Sequence, residues 1–293
     1  MTPDHAEESP DQSGGLKMGV IGGGRMGAGI AQACLVAGWS VVLVEVDAET
    51  AAAGRERVLG MLQKSVERGT LVGEAAALID RLSVSWDLQG LAGSCLVVEA
   101  IPENATLKGS VLAAAEKVID GGAVLATNTS SISIGELASA LKRPERFLGL
   151  HFFNPVPSSL LVEVVRGAAT DPEVIATAQR WVQVIGKEPV VVGDSPGFAS
   201  SRLGVLLGLE AIRMVEEGVA TPEDIDKAMT LGYKHPIGPL HLTDLVGLDV
   251  RLGIAEYLHS RLGERFAPPE LLRSKVAAGQ LGRKSGQGFF TYD

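Results

Sequence analysis

One histidine and one glutamate each lie in an otherwise apolar run. His151 falls near the end of RFLGLHFF, and Glu163 follows twelve residues later inside LLVEVVR. A carboxylate in such a run costs free energy unless it has a partner, and a carboxylate can orient an imidazole for proton exchange near neutral pH. The pattern favours a His–Glu acid/base pair. Spacing alone also allows a buried histidine and an unrelated acid on an edge strand.

A polar turn follows the apolar run GAVLAT. Its side chains belong to Asn128, Thr129, Ser130 and Ser131. Capping the helix that follows requires only one of them. Ligands of open parallel sheets bind beyond the carboxyl ends of the strands, where this turn and His151 both fall. We therefore favour contacts of the turn with substrate or cofactor over simple helix capping.

A glycine motif, Gly22-x-Gly24-x-x-Gly27, stands between a strand-like run and a helical pattern, and Glu45 follows 21 positions after Gly24 at the end of the next strand-like run. This spacing allows a tight turn, an approach of pyrophosphate to bare backbone and a close contact of helix and strand. The motif predicts a dinucleotide site, which by itself could also hold FAD. Glu45 favours NAD, since its carboxylate accepts from a ribose hydroxyl and repels the extra phosphate of NADP. We interpret Arg25 as a solvated loop residue.

A mostly parallel sheet is needed to position these groups. Short apolar runs alternate with longer helical patterns from about Leu16 to Gly193, as is typical of strands covered by helices on both faces. After that point extended runs give way to helical segments. The predicted fold class is α/β, with a Rossmann-type doubly wound sheet over residues 16–193 and an all-helical domain over 194–293. Residues 1–15 are polar and acidic, and we expect a disordered tail there. The seven strand-like runs are LKMGVIGGG, SVVLVEVD, SCLVVEAI, GAVLATN, RFLGLHFF, LLVEVVR and PVVVG.

Composition narrows the function classes. Twenty-six Lys and Arg against 35 Asp and Glu give a net charge of −9, which disfavours a nucleic-acid partner. No uninterrupted apolar stretch approaches the roughly 18 residues of a membrane span, and the first residues do not resemble a signal peptide. The two cysteines, Cys34 and Cys95, have no metal-ligand spacing. We expect a cytoplasmic enzyme for a small molecule, with no metal and no membrane partner.

Longer motifs add a resemblance to a known family. They are GxGxMGxGIA at Gly22, NTSSISI at Asn128, RFLGLHFFNPVP from Arg146, LVEVV around Glu163, DSPGF at Asp194, EDIDKAM at Glu223, HPIGPLHLTDLVGLD at His235 and LGRKSGQGFF near the end. In this combination the chain resembles the L-3-hydroxyacyl-CoA dehydrogenase family, of the bacterial 3-hydroxybutyryl-CoA type, along residues 16 to 293. The resemblance implies NAD as cofactor, an acyl-CoA substrate and a homodimer formed through the helical domain.

The resemblance also implies catalytic roles for four residues. The catalytic histidine falls on His151, its partner carboxylate on Glu163 and the contact to the substrate hydroxyl on Ser130. Asn154 matches the asparagine of the HFFNP motif. Ser201 stands where the family pattern has asparagine, and we expect its shorter side chain to contact substrate through a water.

Cofactor and CoA contacts follow from the same resemblance. Glu103 falls beside the nicotinamide, and Lys108 is expected to face cofactor and substrate. Met26 and Asn128 complete the cofactor set with the glycines and Glu45. The family's CoA-binding helix is matched less well, with Lys64 and Arg68 as the partners for CoA phosphates.

The implied reaction is reversible hydride transfer between C3 of a 3-hydroxyacyl thioester and NAD. One alternative is a related dehydrogenase that acts on a carrier-bound or free hydroxy acid, which the change at Ser201 favours. Another is a nucleotide-binding structural or sensor protein that keeps the fold without chemistry. Retention of His151, Glu163, Ser130 and Asn154 together argues against the second alternative.

Overall fold

The structure, a computed structural model, describes residues 16–71 and 75–292. The predicted tail over residues 1–15 lies outside the described residues. The chain divides into two compact units, Met1–Asp194 and Ser195–Asp293. The first unit carries the sheet and the second is helical, so the predicted fold class is confirmed.

The first unit is built on one sheet of eight strands among its described residues. Their order is β3-β2-β1-β4-β5-β6-β7-β8, and every neighbouring pair is parallel except β6 and β7. Seven strands correspond to the predicted runs, and β3 was not predicted. The strands are β1 (Lys17–Ile21), β2 (Ser40–Val44), β3 (Leu82–Ser85), β4 (Leu96–Glu99), β5 (Val124–Thr127), β6 (Phe147–Phe152), β7 (Leu161–Arg166) and β8 (Glu188–Gly193).

Helices connect the strands and pack against them. In α1, small and apolar residues are buried around most of the helix, and Ile30 and Leu35 have no exposed surface. Burial of each such side chain contributes roughly 1.5–3 kcal/mol. Asp47 begins α2 by accepting hydrogen bonds from the backbone N–H and hydroxyl of Thr50. The helices are α1 (Arg25–Val36), α2 (Ala48–Glu67), α3 (Ala75–Ile79), α4 (Ala105–Glu116), α5 (Ile134–Ala138) and α6 (Pro172–Val184).

The strand order places a crevice at the carboxyl end of β1. The chain leaves β1 for β2 and β3 on one side, and then returns to β4 on the other side of β1. Dinucleotides bind at such a switch point in doubly wound sheets. Strand β6 lies three strands from β1, which at the usual spacing is about 14 Å. Groups at the carboxyl ends of β1, β4, β5 and β6 therefore share one edge of the sheet.

The turn back from β6 to β7 creates the antiparallel pair. Only residues 153–160 join the two strands. Parallel neighbours need a crossover connection of a dozen or more residues, so this segment can only return the chain in the opposite direction. In the resulting register His151 lies directly opposite Glu163.

The second unit consists of helices around its own apolar core, which includes Leu209, Leu240 and Leu258. Its final segment is held by Asp244, whose carboxylate accepts from the backbone N–H groups of residues 289 and 290. No helix among the described residues is long and apolar enough to cross a membrane. The α-helices are α7 (Ser200–Glu216), α8 (Pro222–Lys227), α9 (Pro239–Val246), α10 (Leu248–Leu262) and α11 (Glu270–Ala277), with a π-helical segment at Ala228–Gly232.

Candidate active site

The predicted contact between histidine and glutamate is present. Nδ1 of His151 lies 2.8 Å from Oε2 of Glu163, and both side chains are buried. The cause is the antiparallel register, because directly opposed residues point to the same face with Cβ atoms about 5 Å apart. The ring of Phe153 packs against the imidazole at 4.4 Å between centroids. The two strands therefore fix both the position and the tilt of the imidazole.

This contact determines which nitrogen of His151 can exchange a proton. An ionised carboxylate only accepts hydrogen bonds, so Glu163 selects the tautomer with the proton on Nδ1. The lone pair of the neutral ring then resides on Nε2. When Nε2 takes up a proton, the adjacent carboxylate stabilises the imidazolium. This is the arrangement that a general base requires.

The glycine loop between β1 and α1 has the form that a pyrophosphate site needs. Gly22 has φ of +97°, which favours glycine. A Cβ on Gly27 would lie 1.8 Å from the carbonyl oxygen of Gly22, whereas a Cβ on Gly24 would meet nothing within 4 Å. Gly24 begins α1 without a side-chain cap, and the first turn contains no acidic residue. The first N–H groups of α1 are thus compatible with an anion, and the loop fits a dinucleotide.

Glu45 lies immediately after β2 and reaches the same loop. Its Oε1 accepts from the N–H of Gly23 at 2.6 Å, and its Oε2 accepts from the N–H of Val46 at 3.2 Å. Arg57 of α2 donates to the carbonyl of Gly23. The sequence analysis missed Arg57, and no sequence motif marked it. Hydrogen bonds with the side chains of Glu45 and Arg57 therefore stabilise the glycine loop.

Asn128 ties the carboxyl end of β5 to that of β6. Its Oδ1 accepts from the backbone N–H of Phe152 at 2.8 Å. Phe152 follows His151 directly, so this bond places the polar turn after β5 beside the imidazole strand. Asn128 has a structural task here, and its predicted cofactor contact stays a prediction.

Glu103 organises the polar turn. Its Oε1 accepts from the hydroxyl of Thr129, the N–H of Ser130 at 3.1 Å and the hydroxyl of Ser131 at 3.2 Å. The hydroxyl of Ser130 lies 3.5 Å from the same oxygen. Glu103 therefore sets the conformation of the turn that carries Ser130.

Lys108 is in the protein interior, although the resemblance implies that it faces cofactor and substrate. Its side chain has no exposed surface. The ammonium lies 2.7 Å from Oε1 of Glu99, 3.3 Å from Oε2 of Glu103 and 3.2 Å from the carbonyl of Ile101. Three acceptors match its three protons. Its cofactor contact stays a prediction, and its contacts here are with the protein.

The remaining predicted residues have simpler surroundings. Asn154 is exposed just after β6, and Met26 is half-buried at the start of α1. Lys64 and Arg68 are exposed one helical turn apart at the end of α2. Ser201 is half-buried in the first turn of α7. No group of three or more His, Cys, Asp or Glu among the residues that the structure covers could hold a metal ion.

Fold and site together define a dinucleotide-binding protein with a buried His–Glu contact at the same sheet edge. Comparison with family models agrees. The model of the 3-hydroxyacyl-CoA dehydrogenase NAD binding domain matches residues 17–195, and the model of the 3-hydroxyacyl-CoA dehydrogenase C-terminal domain matches residues 197–292. The chain belongs to the 3-hydroxyacyl-CoA dehydrogenase family. It is an NAD-dependent oxidoreductase, so the expected cofactor and enzyme class are confirmed.

Similar proteins cover almost the whole chain. The probable 3-hydroxybutyryl-CoA dehydrogenase of Deinococcus radiodurans is 44% identical over 278 residues, which are 94% of this chain and 100% of that protein. The crystal structure of FadB2 from M. tuberculosis has 44% identity and a TM-score of 0.89, covering 94% of this chain and 98% of that one. The (S)-3-hydroxybutyryl-CoA dehydrogenase PaaH1 of Ralstonia eutropha has 39% identity and a TM-score of 0.89, covering 94% and 99%.

Proposed function

We propose that this protein interconverts 3-hydroxybutyryl-CoA and acetoacetyl-CoA, with His151 and Glu163 as its acid/base pair. The observation that carries the proposal is the 2.8 Å contact between the two side chains at the carboxyl edge of the sheet. The names of the similar proteins from D. radiodurans and R. eutropha support the choice of substrate.

Proton handling falls to His151. In the oxidative direction Nε2 takes the proton of the 3-hydroxyl, and in the reductive direction it returns that proton to the oxygen. Glu163 holds the ring in the required tautomer and stabilises the imidazolium. Ser130 donates to the reacting oxygen, and Asn154 contacts the substrate beside it. A positioned imidazole contributes roughly 10² to 10⁴ in rate.

The glycine loop and its neighbours bind the dinucleotide. When bound, NAD supplies the hydride acceptor of the oxidation. The backbone of Gly22, Gly24 and Gly27 accommodates pyrophosphate beside Met26, and Glu45 accepts from the ribose next to the adenine. Glu103, Lys108 and Asn128 surround the nicotinamide end. Two observations support this assignment of the pyrophosphate and nicotinamide ends. They are the open space at Gly24 and the position of the polar turn beside His151.

The CoA portion is assigned to the exposed end of α2. Lys64 and Arg68 are four residues apart and share one face of the helix, so both cations can reach the same phosphate group. Ser201 is proposed to contact the acyl portion through a water, in place of the family's asparagine.

One assay tests the proposed function. Purified protein is mixed with NADH and acetoacetyl-CoA, and the loss of NADH absorbance is followed, with NADPH, a carrier-linked acetoacetyl group and free acetoacetate in parallel. We expect turnover with NADH and the CoA thioester that exceeds every other combination by at least about tenfold, which corresponds to about 1.4 kcal/mol in transition-state binding. Faster turnover of the carrier-linked or free acid would contradict the CoA substrate and favour the alternative substrate class.

A homodimer is the proposed assembly. Several large apolar side chains of the second unit are exposed, among them Leu203 at 67%, Leu231 at 72% and Tyr233 at 76%. Leu245, Val246 and Val250 are exposed around the junction of α9 and α10. Exposed apolar groups of this number on a small helical unit are typical of an interface.

A further inference from the structure

A second buried carboxylate, after that of Glu163, lies beside the candidate site, and none of the roles above uses it. Glu99 is the last residue of β4 and has no exposed surface. It pairs in register with Ile21 of β1 and with Thr127 of β5. Glu99 therefore lies at the switch point of the sheet, between the glycine loop and the polar turn.

The carboxylate of Glu99 accepts hydrogen bonds from three groups of the protein. Its Oε1 accepts from the backbone N–H of Ile101 at 2.7 Å and from the ammonium of Lys108 at 2.7 Å, while its Oε2 accepts from the hydroxyl of Thr127 at 2.6 Å. These three short bonds fix the carboxylate between two strands and α4. Glu99 is thus a rigid anchor for the Lys108 ammonium.

The ammonium of Lys108 in turn restrains the side chain of Glu103. The side chain of Glu103 is 38% exposed, so burial does not fix its rotamer. Its Oε2 is instead held by Lys108 at 3.3 Å, which leaves Oε1 directed at the turn of residues 129–131. A continuous series of hydrogen bonds and ion pairs therefore runs from the interior of the sheet to Ser130.

We propose that Glu99 is a positioning residue, which acts through Lys108 and Glu103 to hold the 129–131 turn in its reactive conformation. The proposal rests on the proposed function in one respect, namely that Ser130 contacts the reacting oxygen. The charge balance supports it, because one buried ammonium between two carboxylates attracts both and keeps Glu103 from turning to solvent. Displacements of about 1 Å can cost on the order of 100-fold in rate.

The buried Glu99–Lys108 pair could stabilise the fold without positioning the turn. Removing both charges together distinguishes the two roles. Lys108→Met alone leaves Glu99 as a buried unpaired charge and destabilises the fold, whereas the double variant Glu99→Gln/Lys108→Met has no such charge. We expect the double variant to regain most of the melting temperature lost in Lys108→Met. Its kcat should nevertheless stay roughly 10- to 100-fold below wild type, because Glu103 has lost its tether. Since Lys108 is itself assigned to the nicotinamide end, the single variant Glu99→Gln, which keeps the ammonium, should also lower kcat by at least about threefold.

Hydrogen exchange of the full chain provides a readout that does not depend on turnover. The N–H of Ser130 donates to Glu103, so we expect amide exchange over residues 129–131 to quicken at least about threefold in Glu99→Gln and in the double variant. The single variant keeps the shape of the side chain, so it tests the proposal even where the double variant folds poorly.

Glu116→Gln is the matched control. Glu116 is a buried carboxylate at the other end of α4, where it accepts from the backbone N–H groups of Lys142 and Arg143. This variant should lose stability while its kcat and its exchange over residues 129–131 stay within about twofold of wild type.

Two results would overturn the positioning role. One is a kcat of Glu99→Gln equal to that of wild type, or a double variant whose kcat recovers together with its melting temperature. The other is unchanged exchange over residues 129–131 in Glu99→Gln. A wild-type protein without activity on acetoacetyl-CoA would refute the proposed function, and the exchange measurement would still decide whether Glu99 orders the turn.

Discussion

At the scale of single residues, the contact between His151 and Glu163 supports the different tasks that we propose for the two groups. Glu163 is almost fully buried, and its Oε2 lies 2.8 Å from Nδ1 of His151. In the proposed mechanism the imidazole exchanges protons and the carboxylate orients it. Each task predicts a different effect of substitution.

Removal of the imidazole should abolish chemistry while preserving cofactor binding. We expect His151→Ala to lower kcat by roughly 10² to 10⁴, because proton transfer to a positioned base is lost. The dissociation constant of NADH, measured by fluorescence titration, should stay within about twofold, since the glycine loop is unaffected. His259→Ala, a histidine of the second unit paired with Glu264, serves as the control with normal turnover. Normal turnover of His151→Ala would exclude it as the base.

Replacement of the carboxylate by an amide should be nearly as harmful. In Glu163→Gln the amide N–H₂ can face Nδ1 and select the tautomer with the proton on Nε2, which removes the basic lone pair. We expect kcat to fall by roughly 10² to 10⁴, in line with the corresponding Asp-to-Asn change in serine proteases. Glu188→Gln, an exposed position on the neighbouring strand β8, makes the same substitution without this effect. Equal kcat values for the two variants would contradict the orienting role.

Only some of the site residues could be identified from the sequence. A carboxylate inside an apolar run drew attention to Glu163, and the same argument applied to SCLVVEAI would have found Glu99. Arg57 carried no such mark, because its role arises from the packing of α2 against the glycine loop. Likewise, no sequence pattern shows that the ammonium of Lys108 lies between two carboxylates.

At the scale of elements, strand direction was the main feature that the sequence analysis left undetermined. The predicted runs covered every strand except β3, whose sequence LSVS contains only two apolar residues and lies at the sheet edge. The reversal at β7 could have been predicted from the eight residues between β6 and β7, which are too few for a parallel crossover. The register that opposes His151 and Glu163 depends on side-chain packing on both faces, which spacing does not reveal.

The glycine loop permits a paired test at this scale. Gly24→Ala adds a Cβ that meets nothing within 4 Å, so stability should change by less than about 0.5 kcal/mol. The same methyl group occupies the approach of the pyrophosphate, and we expect the dissociation constant of NADH to rise at least about tenfold. Gly27→Ala should destabilise the fold by about 2 kcal/mol or more, because its Cβ would collide with the Gly22 carbonyl. Urea unfolding and NADH titration of both variants check this division.

The cap of α2 makes the helix stability dependent on pH. The backbone N–H and the hydroxyl of Thr50 lower the pKa of Asp47 in the folded state. This contribution is fully present above the ordinary carboxyl pKa of about 3.9, and it is lost as pH falls through the lower folded-state value. We expect Asp47→Ala to reduce the urea midpoint at pH 7 and to differ much less from wild type at pH 3. An equal difference at both pH values would assign the effect to helix propensity rather than to the charge.

At the scale of the whole molecule, the two units differ in secondary structure and in their apolar surfaces. The first unit has apolar strands and carries the glycine loop and the His151–Glu163 contact. The helical unit has a separate core and many exposed apolar side chains on its surface. The change from strands to helices along the chain was predictable from the sequence, because it depends on the spacing of apolar residues. Assembly depends on surface shape, so it requires a measurement.

The exposed apolar residues of the second unit predict the assembly. We expect light scattering to give about twice the chain mass of 30.5 kDa. The double variant Leu203→Glu/Leu245→Glu places charges on α7 and α9, where desolvation in an interface costs more than the apolar contact contributes, so it should run as a monomer. Trp86→Glu, at a position 62% exposed in the first unit, should remain dimeric. A monomeric wild type would refute the dimer, and a dimeric double variant would exclude these two helices from the interface.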